Sequence, residues 1–219
     1  MSHALRRIAA TVGFSVAVLG LSVMATQPAQ AASDPGPFVT PPPISNTIQI
    51  SQVSTQGPGG TQDEFVEIQN VQAQPLDISG WSIWACTATN QQVQLAVIPA
   101  GVVLGGTTAD PNVETGRYYL LANEAGYSRN TPPDQLYTGD IQRTGGVLLR
   151  GAPTAASPLG PRVDMIGFAV GNACTESSPA TPQTGFVDQS NVRHGNVDTN
   201  VNAFDFTLVS PSFPRNSSF

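Results

Sequence analysis

The chain has 219 residues and a formal net charge of -6, from nine basic and 15 acidic side chains. Gly and Pro make up about 18% of the chain against a usual ~12%, and charged residues make up 11% against a usual ~25%. This composition excludes a long helical bundle, and the 40% hydrophobic content excludes charge-driven disorder. We therefore expect a turn-rich, all-β protein.

The N-terminus has the pattern of an export signal. Residues 1–7 are short and basic, residues 8–25 are apolar, and small residues follow at Ala29 and Ala31. This order predicts a signal peptide over residues 1–31, cleavage after Ala31 and a secreted, extracellular protein. The alternative is an uncleaved membrane anchor, but the apolar run is short for a span of ~20 residues. No later segment is apolar enough to span a bilayer after cleavage.

Residues 32–45 are rich in proline, which favours an extended linker, so the predicted domain covers residues 46–219. Removal of residues 1–31 would take away two basic side chains, Arg6 and Arg7, and no acidic one. The mature chain would therefore be still more acidic, and nucleic acid is not an expected partner, because phosphate binding depends on Lys and Arg.

Alternating apolar residues between turn residues predict about nine short strands and no long helix. A one-residue slip between Ile50 and Val53 predicts a bulge in the first strand. The spacing is typical of a β-sandwich. The predicted strands cover residues 47–53, 64–70, 78–86, 93–98, 117–123, 136–141, 146–150, 163–170 and 204–209.

Three of the polar connections are longer than most loops in compact domains, namely residues 126–135, 151–161 and 171–186. Long loops on a rigid scaffold often carry binding functions. The alternative is that they are tolerated surface loops without a function of their own.

Cys86 and Cys174 are the two cysteines of the chain, and both end apolar runs. An even number of cysteines in an exported protein predicts a disulfide bond. A reactive or metal-bound thiol is the alternative, but no His or third Cys lies near either one in sequence.

Several motifs occur in the same order as in a known protein family. Residues 50–53 (ISQV), 64–70 (EFVEIQN) and 76–81 (LDISGW) resemble, in this order, three motifs of the lamin tail domain family. Residues 163–168 (VDMIGF) and the C-terminal segment continue the resemblance, which covers nearly all of the predicted domain.

The resemblance implies an immunoglobulin-like β-sandwich that serves as a binding or tethering module. In bacteria, such domains stand alone in exported proteins or are appended to secreted nucleases and phosphoesterases. The motif residues to which the resemblance assigns a structural role are Glu67, Asn70, Gly80, Trp81, Asp164, Arg193 and Asp205.

Two of these side chains, and the neighbouring Trp84, have alternative interpretations. Trp81 is expected in the core, with ligand stacking as the alternative, and Trp84 on the opposite strand face fits either role. Glu67 lies in an apolar strand and needs a partner, for which the resemblance suggests Arg193. A catalytic role for Glu67 is the alternative.

Asp198, Asn200 and Asn202 have the i, i+2, i+4 spacing of a calcium loop. Ala203 follows where an EF-hand loop has Gly, and no bidentate Glu comes later. Side chains that hydrogen-bond their own backbone explain the pattern as structural turns. We therefore expect no metal ion, with a calcium site at these three residues as the alternative.

Catalytic groups are scarce, since His194 is the one histidine of the predicted mature chain and Lys is absent. No nucleophile elbow and no phosphate-binding glycine loop are present, so we expect neither an enzyme nor a cofactor. The sequence favours a non-enzymatic module that binds an unidentified protein or cell-envelope ligand. It does not determine the oligomeric state. The alternatives are an accessory partner of a secreted nuclease or phosphoesterase, and a hydrolase using Asp and Glu alone.

Overall fold

The computed structural model describes residues 43–108 and 116–219. The predicted signal peptide and residues 32–42 of the predicted linker lie outside the described residues. The described part contains twelve strands and one short helix, α1 (Asn202–Asp205). The strands are β1 (Ile48–Ser54), β2 (Phe65–Asn70), β3 (Leu76–Asp77), β4 (Ser82–Cys86), β5 (Gln92–Val97), β6 (Val103–Leu104), β7 (Tyr118–Asn123), β8 (Gln135–Tyr137), β9 (Gly146–Arg150), β10 (Arg162–Gly167), β11 (Ser190–Arg193) and β12 (Phe206–Val209).

The strands form two main sheets and a small one. The six-stranded sheet has the order β12-β11-β1-β2-β7-β8, the four-stranded sheet has the order β10-β9-β4-β5, and β3 pairs with β6. One core cluster takes side chains from both main sheets, such as Ile50 and Leu121 from the first and Ile83 and Leu149 from the second. The predicted all-β sandwich is confirmed.

Side-chain alternation explains why the central strands form this core. In β2, Val66 and Ile68 belong to the core cluster, whereas Phe65 belongs to a separate cluster on the outer face. The pairing of β1 with β2 shifts register between Ile50 and Gln52, so the predicted bulge is confirmed. The shift lets both Ile50 and Val53 reach the core.

A disulfide bond joins Cys86 at the end of β4 to Cys174 in the loop after β10, as predicted. The two Cα atoms are 5.9 Å apart, within the usual range for a disulfide. Both cysteines belong to a second buried cluster, on the outer face of the four-stranded sheet. A cross-link between residues 88 apart restricts the unfolded chain and contributes about 4–5 kcal/mol at most.

The structure differs from the predicted strands at several places. The two-residue strands β3 and β6 were not predicted, and the predicted strands 78–86 and 136–141 are shorter, as β4 and β8. Strand β11 was not predicted, because its residues are mostly polar although three of the four are buried. Helix α1 contains Phe204 and Asp205, where a strand was predicted, and the strand β12 begins at Phe206. The helix turns the chain at Asp205, which points into the buried polar interior.

The described residues were searched for helices that are long and apolar enough to cross a membrane, and none was found.

Candidate functional site

Arg193 on β11 lies between the two main sheets. Val53 pairs with Asn191 across β1 and β11, so Arg193, two residues further, faces the same interior side as the core residue Val53. The guanidinium donates to the backbone oxygen of Ile50 at 2.8 Å and to both carboxylate oxygens of Asp164 at 2.7 Å. Arg193 thereby connects β11 with β1 and with β10 of the opposite sheet.

The carboxylates of Glu176, Asp198 and Asp205 surround this ion pair. We call these three residues together with Asp164 the acidic cluster. Nη1 of Arg193 is 3.3 Å from Oδ2 of Asp205 and 3.8 Å from Oδ1 of Asp198. Asp164, Asp198 and Glu176 each place one carboxylate oxygen within 4.8 Å of the others. None of the four carboxylate residues is more than 6% exposed.

Burial, together with the nearby charges of Asp164 and Asp198, raises the pKa of Glu176 to about 9. Burial also raises the pKa of Asp164 to about 6, although Arg193 opposes the shift. Arg193 and two backbone N–H groups, of Ile50 and Met165, donate to this carboxylate and favour its ionised form.

Glu67 does not pair with Arg193, so the partner suggested by the resemblance is wrong. Glu67 follows the core residue Val66 and therefore faces the outer side of the six-stranded sheet, whereas Arg193 faces the interior. The carboxylate of Glu67 is 2.7 Å from the guanidinium of Arg215 and also accepts a hydrogen bond from Ser51 Oγ at 2.5 Å. Glu67 and Arg193 anchor opposite faces of the same sheet.

The two tryptophans lie on opposite faces of the four-stranded sheet, in different clusters. Trp84 is 2% exposed, and its Nε1 donates to Ser82 Oγ at 2.8 Å. Trp81 is partly buried and packs against the main core from its edge, because it precedes β4 and lies in the turn that Gly80 forms with a φ of 74°. Trp81 therefore reaches the main core only as a partly buried side chain at its edge, whereas Trp84 fills the buried cluster on the outer face of the four-stranded sheet.

Asn70 and Asp205 hold loops in place. The amide nitrogen of Asn70 donates to the backbone oxygens of Gln74 and Leu104, and its amide oxygen accepts from the N–H of Gln72. The carboxylate of Asp205 accepts from both the N–H and the hydroxyl of Thr199. These contacts give both motif residues the structural role that the resemblance implies.

The i, i+2, i+4 side chains do not present three oxygens to one ion. Asp198 accepts from the backbone N–H of Asn200 at 2.9 Å, as in a structural turn. The amide oxygen of Asn202 is occupied by the N–H groups of Gly167 and Glu176, both at 2.9 Å. Of the three, Asp198 alone has a carboxylate in the acidic cluster.

A groove of about 360 Å³ opens at the loop over residues 126–135. Arg129 lies beneath it, with Nη1 2.5 Å from Oδ2 of Asp63 and Nε 2.9 Å from Oδ1 of Asp188. Phe213 is 50% exposed at the groove. The lining residues are Pro58, Ser128, Arg129, Asn130, Thr131, Asp188, Ser212, Phe213 and Pro214.

The sequence indicated one of the four segments that form this groove as a binding candidate, the loop over residues 126–135. Pro58, Asp188 and Phe213 are distant from it in sequence and were not candidates for binding. No local pattern reveals that these segments meet, because their contacts depend on the tertiary fold.

A further buried carboxylate, Glu64, lies at the end of the six-stranded sheet next to β8. It accepts hydrogen bonds from Asn123 Nδ2 at 2.9 Å and from the backbone N–H of Ile141 at 2.8 Å. Burial, with a smaller contribution from the charge of Asp140, raises the pKa of Glu64 to about 8.

No protein-family model matches this chain, and no curated protein is significantly similar to it. The resemblance to the lamin tail domain therefore stays a prediction that depends on the ordered motifs.

Proposed function

We propose that this protein is a secreted, non-enzymatic binding or tethering module of the lamin tail type. In this proposal, the groove above Arg129 holds an extended, uncharged segment of a partner protein. The observation that carries the proposal is that an exposed aromatic ring and two prolines line the groove, while its charged groups are already paired with each other.

The charge balance of the groove favours an uncharged ligand. Arg129 is neutralised by Asp63 beneath it and by Asp188 at its rim, and the side chain of Arg129 is only 7% exposed. Nε of Arg129 also donates to Ser212 Oγ at 3.0 Å. A charged ligand would have to break these contacts, whereas an uncharged one leaves them intact.

The shape and lining favour a short extended segment. The groove volume of about 360 Å³ lies at the lower end of the ~300–1,000 Å³ usual for ligand pockets. Aromatic rings line the grooves in which other recognition domains bind extended, proline-rich peptides. Asn130 is exposed beside them and offers an amide to a peptide backbone.

The chemistry of the groove supports a non-enzymatic role. Arg129 and Asp188 are the ionisable side chains among the described lining residues, and they form an ion pair. His194 lies elsewhere, on an exposed position next to Thr207, where its ring contacts the threonine hydroxyl. The Ser212 hydroxyl donates to Asp188, and the same carboxylate is held in the ion pair with Arg129, which makes it a weak base for activating a nucleophile.

Site-specific photo-crosslinking tests the proposal. A photoreactive residue replaces Asn130, and the protein is irradiated with the envelope and medium of the producing cells. We expect one captured protein, with the cross-link in an uncharged segment, and loss of capture when Phe213→Ser is added. Phe204→Ser is the matched control, since Phe204 is 74% exposed on α1 and does not line the groove.

The proposal fails if Asn130 captures nothing, or if Phe213→Ser leaves the captured protein unchanged. It also fails if the purified protein turns over phosphoesters or peptides, which would place it among the hydrolases.

A further inference from the structure

We propose that Asp164, Glu176 and Asp198 bind one divalent cation, Ca²⁺, inside the acidic cluster. This inference is independent of the groove and of the proposed function.

The first argument is the charge balance. Four buried carboxylates surround one guanidinium, so the ionised cluster carries three more negative charges than positive ones. Unpaired charges are costly in a protein interior. A single proton would remove one of the three excess charges, whereas a divalent cation removes two.

One oxygen atom of the cluster has no partner among the described residues. Glu176 is 0% exposed, and its Oε1 makes no hydrogen bond within this part of the chain. Its Oε2 accepts from Asn202 Nδ2 at 2.9 Å, while the amide oxygen of the same Asn202 accepts from the N–H of Glu176. Asn202 thus fixes the Glu176 carboxylate in the cluster from both sides. A buried carboxylate oxygen held in this way lacks the ligand that would satisfy it.

The oxygen atoms of the three carboxylates lie close enough together for one ion. Asp164, Glu176 and Asp198 contribute oxygens that lie within 4.8 Å of one another. Ca²⁺ accepts six to eight oxygen ligands at about 2.3–2.6 Å in flexible geometry, whereas Mg²⁺ demands a near-ideal octahedron at about 2.0–2.1 Å. Three carboxylates held by separate segments therefore suit Ca²⁺ better than Mg²⁺.

The position of Asp198 gives the ion a route to the site. Asp198 is 6% exposed and lies beneath a loop whose residues 194–197 and 199 are exposed. A cation entering there would retain water as further ligands. It would connect β10, the loop after β10 and the loop after β11, so binding would stabilise the folded state.

The test compares thermal unfolding and direct binding. The full chain is treated with chelator, dialysed and titrated with CaCl₂ or MgCl₂, and bound calcium is counted by equilibrium dialysis. We expect one Ca²⁺ per chain and a rise in Tm of about 5–10 °C at a hundredfold excess over Kd, with a smaller rise for Mg²⁺.

Glu176→Gln keeps the shape of the side chain but removes its charge. We expect this variant to bind no calcium and to melt in chelator at the same temperature as the parent or above it, which separates lost binding from lost folding. Glu124→Gln, on an exposed residue outside the cluster, is the matched control and should keep both responses. The inference is overturned if the parent binds no Ca²⁺, or if Glu176→Gln keeps the calcium-dependent rise in Tm.

Discussion

Glu67 and Arg215 form an ion pair at 2.7 Å, although they are 148 residues apart in sequence. The pair fastens the C-terminal segment, residues 212–219, to the outer face of the six-stranded sheet. Ser217 and Asn216 continue the attachment through hydrogen bonds to Asp134 and to the backbone oxygen of Pro132. The segment also carries Phe213, so the same ion pair positions one wall of the groove.

Removal of the Arg215 guanidinium should therefore destabilise the protein. Arg215→Ala leaves a fully buried carboxylate without its charged partner, and the expected loss is about 3 kcal/mol of unfolding free energy. This is the lower end of the usual range, because Ser51 Oγ still donates to Glu67. A double-mutant cycle by urea unfolding should give a coupling energy for Glu67 with Arg215 and about zero for Glu67 with Arg193. Coupling of Glu67 to Arg193 instead would contradict the assignment of faces.

The two tryptophans should differ in their effect on stability. Trp84→Ala removes a buried indole and should cost about 3–5 kcal/mol, a large part of the ~5–15 kcal/mol total of an ordinary domain. Trp81→Ala should cost less, because Trp81 is partly buried and packs only at the core edge. Thermal melting of both variants checks the order, and a larger loss for Trp81→Ala would show that the register of β4 is wrong.

The disulfide bond should contribute to stability through the unfolded chain. A Cys86→Ala, Cys174→Ala double variant should lose up to about 4–5 kcal/mol, since the unfolded state regains the freedom of a loop of 88 residues. Denaturant unfolding of the variant and the oxidised parent measures the difference. Equal stability of the two proteins would argue against this contribution.

Stability should fall as the pH rises from about 4.5 to about 8 through the titration of Glu64. Burial raises the pKa of Glu64 from 4.5 to about 8, so the folded state keeps a proton that the unfolded state releases in this window. The stabilisation is complete below the unfolded pKa and is lost as the pH rises through the folded pKa. Urea unfolding across this range, with chelator present, should show a shallower decline for Glu64→Gln than for the parent.

The exposed Glu124→Gln serves as the control and should keep the slope of the parent. If Glu64→Gln declines as steeply as the parent, then Glu64 is ionised in the folded protein, and its hydrogen bonds from Asn123 and Ile141 outweigh its burial.

The sequence predicted strands in which one face is buried, because the buried face leaves a local alternation of apolar residues. Ile48, Ile50 and Val53 indicate both the first strand and its bulge, because apolar side chains must alternate to reach one core. The disulfide followed from the number of cysteines, and the all-β sandwich followed from the spacing of strands and turns.

Features that depend on long-range polar contacts were not predictable. Strand β11 has buried Asn191 and Arg193 in place of apolar residues, so it shows no alternation. The partner of Glu67 comes from the far end of the chain, and the acidic cluster gathers residues from four segments. Trp81 was predicted as a strand residue because the predicted strand covered residues 78–86. In the structure β4 starts at Ser82, so Trp81 lies in the turn before it.

The most direct test of the account is the affinity of the groove for the segment that Asn130 captures. Isothermal titration calorimetry of that segment, made as a synthetic peptide, compares the parent with Phe213→Ser and with Phe204→Ser. We expect Phe213→Ser to weaken binding by about 30-fold, as for an aromatic residue at the centre of an interface, and Phe204→Ser to leave it unchanged. Equal affinity of the parent and Phe213→Ser would contradict a binding function of the groove.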